Sequence, residues 1–181
     1  LKGRCVATCG QYDRAVLPRV PWLGDEPIPY LELLNPSARH SVCAELLTRT
    51  RGRAPGAPAD AIAAMLTMSW RPALVACAAV CARADGERFA APLTALLREG
   101  SWVSPQVAVA LGHARRWDLA AVVADLDLTA LPDKARGGLW AIGVTWQTAP
   151  ASGGWSEFGL GRGVAEQWLA EVVVPPRAPA P

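Results

Sequence analysis

Apolar positions alternate between two patterns through the middle of the chain. Over residues 71–83 they go all the way round, with Leu74, Val75, Cys77, Val80 and Cys81 separated by little but alanine. A helix without a polar stripe belongs between two neighbours. Phe89, Leu93, Leu96 and Leu97 then fall at offsets of zero, four, seven and eight, a single stripe closed by Gly100. The same pair recurs downstream: residues 104–114 are apolar all round (Val107, Val109, Leu111), and after the turn at "RRWD" Leu119, Val122, Val123 and Leu126 form one stripe. Upstream, a helix over about 58–68 carries Ile62, Met65 and Leu66. Asn35 followed by Pro36 predicts the start of another, which runs to about Arg49 with Val42, Cys43, Leu46 and Leu47 on one face. Ala135, Leu139, Ile142 and Trp146 fit a helical face, a reading preferred over the strand that Trp140, Ile142, Val144 and Trp146 would also suit. A last helix over 164–174 turns Trp168, Leu169 and Val172 inward.

Between these stretches lie strong breaks. Residues 1–34 carry Pro18, Pro21, Pro27 and Pro29 and read as an irregular extended segment. It is laid over a neighbouring surface by Trp22 and Tyr30, with one short strand between Gly3 and Gly10. Arg49, Arg51 and Arg53 alternate with nothing apolar, and Gly52, Pro55, Gly56 and Pro58 follow, so this stretch reads as the most mobile loop. The glycine-rich run over 148–162 reads as a second long loop, and 175–181 as a disordered Pro-rich tail. The expected organisation is therefore a 1–34 segment, a 35–174 helical domain and the tail. The fold class is all-α, with short antiparallel helix pairs stacked as an array.

The stacking expectation comes from a repeated phrase. "SWRPALVACAAVCAR" begins at Ser69 and "SWVSPQVAVALGHAR" at Ser101, which puts Trp70 and Trp102 32 residues apart and Pro72 and Pro105 33 apart. Helical repeat proteins have periods in this range. The apolar first helices, their early prolines and the short turns into second helices resemble the HEAT/armadillo class over about residues 58–147. The resemblance implies a surface that binds other proteins, with chemistry rare.

Charge and chemistry refine this picture. The 181 residues hold 18 Lys and Arg against 16 Asp and Glu, and the net +2 is thin for a groove that tracks phosphates. No apolar run reaches the roughly 18 residues that span a bilayer. Five cysteines is an odd number, and Cys77 and Cys81 sit in alanine-rich helix, which favours a reducing compartment, cytoplasmic or nuclear. The chain starts at Leu1 rather than Met and reads as a processed or excised piece, or a subunit of a larger complex. No cofactor is expected. The minority reading is zinc on Cys5, Cys9, His40 and Cys43, whose donor types suit a tetrahedral site. Gly159, Gly161 and Gly163 superficially suggest a phosphate cradle, but no clear strand directly precedes them. His113 is placed to satisfy terminal helix carbonyls. Trp70, Trp102 and Trp117 fall at helix boundaries and read as packing residues. The expected function is a non-enzymatic module for protein-protein interaction, with a binding surface from Trp22, Arg49, Arg51, Arg53, Arg115, Arg116 and Trp155. The alternative is a nucleic-acid binder or DNA-glycosylase-like enzyme on the same scaffold.

Overall fold

The computed structural model describes residues 20–26, 28–37, 39–145 and 157–173. Among them are eight α-helices and no strand: Ser41–Arg53 (α1), Ala59–Leu66 (α2), Trp70–Cys81 (α3), Ala90–Glu99 (α4), Ser104–Ala114 (α5), Leu119–Val123 (α6), Asp133–Ala141 (α7) and Glu157–Glu171 (α8). The two helices without a polar stripe fold as their pattern predicts. Every residue of α3 from Pro72 to Cys81 is buried, and so is every residue of α5 except His113. Packing around them supplies most of the helical stability, since helices this short are marginal alone. The central one is α5, which touches α3 on one side, α4 and the 3-10 turn Gly86–Phe89 on another, and α7 and α8 beyond.

Two helix boundaries differ from expectation. The first helix starts at Ser41, not Asn35, because Pro36 is already engaged: Gln167 of α8 donates its Nε2 hydrogen to the Pro36 carbonyl at 2.7 Å. Nor do the arginines break it. They continue α1 to Arg53, with Thr50 buried between them, and the chain leaves through a 3-10 turn at Ala54–Gly56. Arginine is a good helix former, and Arg51 and Arg53 stand in the last turn, where cations suit the helix dipole.

The largest correction concerns the glycines near the C-terminal end. Gly159, Gly161 and Gly163 lie inside α8, which begins at Glu157 rather than 164. Two glycines of α7 and one of α8 explain the packing. A Cβ on Gly137 would lie well under 3.0 Å from the Phe158 carbonyl oxygen, and one on Gly161 would collide with the Lys134 backbone in the same way. Gly138 faces the other neighbour, where its Cβ would sit 2.8 Å from Pro105 Cα. The missing side chains therefore let α7 press against α8 and α5 at once. Each glycine costs a helix about 1 kcal/mol in propensity, which close packing offsets.

Residues 20–34 form two 3-10 turns, Pro21–Leu23 and Tyr30–Leu33, rather than a continuous extended strip. Their deepest residues are Leu23 and Leu33, while Trp22 and Tyr30 are only half-buried. Trp168 of α8 is fully buried and donates its indole N–H to the Leu33 carbonyl at 2.8 Å. Arg51 of α1 donates to the Glu171 carbonyl at 2.6 Å. The N-terminal turns, α1 and the last helix thus hold one another, a contact that an open array of neighbouring repeats does not make.

Arg83 closes the other side. Its side chain is 7% exposed, and its Nη1 donates to the carbonyls of Ala54 and Ala57 at 2.6 and 2.8 Å. Its remaining donors form a fork onto Asp85, at 2.6 and 2.7 Å. The bond from Arg83 holds the Asp85 carboxyl at about 2, well below its ordinary value. His113 donates from Nε2 to the Arg83 carbonyl at 3.1 Å, so it serves a carbonyl just past the neighbouring helix α3 rather than the end of its own.

Cys43, Cys77 and Cys81 are buried free thiols. Burial pushes Cys77 well up and Cys81 to about 12, so neither forms the reactive thiolate near neutral pH. In a short iodoacetamide pulse on folded protein, peptide mapping should find both unmodified until denaturant opens the fold. Alkylation in native buffer at the rate of a free thiol would contradict this burial.

Candidate interaction surface

The turn between α4 and α5 begins with Gly100, whose φ of +75° lies in the left-handed region and suits glycine. Ser101 and Ser104 then tie the turn together. The Ser101 amide donates to Ser104 Oγ at 2.8 Å, and that hydroxyl donates back to the Ser101 carbonyl at 2.7 Å. Val103 and Ser104 are buried, which turns the intervening side chain outward: Trp102 is 78% exposed. Lys134, in the first turn of α7, places Nζ 4.9 Å from the ring centroid, a cation–π contact on one face of the indole. A large aromatic surface is thus held in water by a backbone that hydrogen bonds and a buried neighbour fix in place.

Trp70 has no such setting. It is half-buried at the start of α3, edge-on to Tyr30 at 5.8 Å, with the Arg71 guanidinium 4.7 Å from its ring centroid. The expectation that Trp70 and Trp102 pack alike is therefore corrected, and their shared spacing does not extend to shared surroundings. Trp117 is 38% exposed and folds back over Gly112, where a Cβ would meet its ring at 2.6 Å. Arg116 and Trp117 close α5 with φ of +52° and +62°, and their amides bond back to His113 and Gly112 at 2.9 and 2.8 Å. This is the Schellman arrangement, with arginine where glycine is usual.

The arginines expected at the surface have mixed settings. Arg49 is half-buried and ion-paired with Glu26. Arg51 binds the C-terminal carbonyls of α8. Arg53 is exposed and lies against Gly24. Arg115 reaches Asp125 at 3.8 Å, and Arg116 is exposed beside it. Trp22 packs against the core with its Nε1 buried and without a hydrogen-bond partner among the described residues. Trp155, Trp146, Cys5 and Cys9 lie outside the described residues. Of the other zinc candidates, His40 is exposed, whereas Cys43 is buried and donates Sγ–H to the Glu32 carbonyl at 3.6 Å. Among the described residues no group of three His, Cys, Asp or Glu is placed to hold a metal. No helix among them is long and apolar enough to cross a membrane.

Sequence reasoning missed the exposure of Trp102 and the role of Lys134. The signal was local: two serines three apart, flanking a Trp-Val pair, can bond to each other and force one of that pair outward. Among the described residues the regular structure is all helical, which is compatible with the α-helical repeat class. No protein-family model matches the chain, and neither a curated protein nor a solved structure matches it.

Proposed function

We propose that the chain is a non-enzymatic binding module, a HEAT/armadillo-type helical stack closed on itself by its last helix, that presents side chains to another protein. One observation carries this reading: a tryptophan 78% exposed on a turn that its own serines hold rigid. Tryptophan is among the residues most often found at the energetic centre of protein interfaces, and rigidity lowers the entropy lost on binding. The apolar first helices α3 and α5, each followed by a shorter partner, support the repeat-type stack.

The test is a pair of captures from native extract, with wild type and Trp102→Ser as baits of equal stability. Losing a hot-spot tryptophan costs about 2 kcal/mol or more, so at least one captured protein should fall roughly thirtyfold. Identical captured sets would remove Trp102 as the anchor and this reading with it. Nucleic-acid binding is the second reading, because an aromatic face beside a lysine can also stack a base. Steep loss of single-strand binding with salt would favour it, and flat, weak binding would remove it.

A further inference from the structure

A recess lies between the segment before Tyr30 and one stripe of α1. Val42, Glu45, Leu46 and Arg49, at offsets of zero, three, four and seven, form its inner wall, and Glu26 and Pro29 form the outer one. Its volume is about 160 Å³. That admits one long side chain, whereas small-molecule sites run to about 300–1,000 Å³. The floor is apolar: Leu46 is buried, and Val42 at the mouth is 49% exposed. The charges are unequal. Arg49 is paired with Glu26, whose side chain is 70% exposed, so part of that carboxylate still faces water. Glu45 is exposed, and no hydrogen bond or ion pair joins its carboxylate to another described residue. Among the described residues that line the recess, two carboxylates stand against one guanidinium, a balance of one negative charge.

We propose that this recess receives a single lysine or arginine side chain of a partner polypeptide, its methylene stem over Val42, Leu46 and Pro29 and its charged head between Glu45 and Glu26. Basic side chains combine these two characters, an apolar stem and a cationic tip. The inference rests on the reading of the chain as a protein-binding module, but shares no residue with the Trp102 turn. Methyl NMR of the full chain, titrated with acetyl-Gly-Arg-Gly-amide and separately with acetyl-Gly-Glu-Gly-amide, tests it directly. The arginine peptide should shift the Val42 and Leu46 methyls saturably, with a Kd on the order of 1 to 10 mM. Glu45→Gln, an exposed change, should weaken that response roughly two- to fivefold. No saturable shift, indifference to Glu45→Gln, or a stronger response to the glutamate peptide (a carboxylate displacing Glu26 from Arg49) would each overturn the assignment. Failure here leaves the Trp102 captures unaffected, so the two readings fall separately.

Discussion

Gly161→Ala lowers the stability of the protein by about 2 kcal/mol, although alanine is the better helix former. The new methyl group would be driven into the Lys134 carbonyl and Cα, and backbone cannot rotate aside as a side-chain tip can. Relief requires α7 and α8 to separate, which loosens the contact of α7 with α5 as well. Gly137→Ala should behave alike, since its Cβ would meet the Phe158 carbonyl and the Arg162 amide. Gly163 provides the internal control. It lies in the same helix with nothing within 4 Å of where its Cβ would stand. Gly163→Ala should therefore stabilise by up to about 1 kcal/mol. Urea unfolding of the three variants reads the contrast as a lower midpoint for two and a higher one for the third. Equal midpoints for Gly161→Ala and Gly163→Ala would mean that the helices do not meet backbone to backbone.

Arg83→Met lowers stability by about 2 kcal/mol, because it leaves the Ala57 carbonyl without its donor, at about 1–3 kcal/mol, and the Ala54 carbonyl with the Ala57 amide alone. Methionine keeps much of the apolar stem, so the loss reports the hydrogen bonds more than the packing. The variant also changes the acid limb of the stability curve. Asp85 has a folded pKa of about 2 against an ordinary 3.8, so its contribution is present above the higher value and is lost as pH falls toward the lower. That increment is modest, since the Asp85 side chain is 47% exposed and solvent screens the pair. Without Arg83, the Asp85 carboxyl should titrate closer to 3.8, and the variant should lose less stability than wild type between pH 4 and pH 2. A carboxyl resonance that titrates unchanged in the variant would show that Arg83 is not its partner.

These two devices mark where the sequence could be read and where it could not. The burial of α3 and α5 was legible because a stretch apolar on every side has one stable place, between other helices. The stripe of α4 and its Gly100 stop were legible for the same local reason. Gly159 and Gly161 were misread as loop because propensity counts glycine against a helix, while the benefit of Gly161, like that of Gly137 and Gly138, lies in a contact with another segment. Asn35 and Pro36 look like a helix start by local chemistry, yet Gln167 takes up the Pro36 carbonyl from 131 residues away. The surface suffered in the same way. Arg51 looked free in sequence and is bonded to α8, whereas Trp102 looked like its counterpart at Trp70 and is turned outward by Ser101 and Ser104.

The bond from Trp168 to Leu33 also sets a clock. During synthesis Leu33 leaves the ribosome 135 residues before the indole that completes it, a wait of about 7 to 27 s at ordinary elongation rates. Late in that interval the strongly apolar α3 and α5 are both made, while α8, which touches both α5 and the early turns, is still missing. The nascent chain must therefore carry an oily flank that only its closing helix can cover, and it is at this stage that chaperones would be expected to meet it.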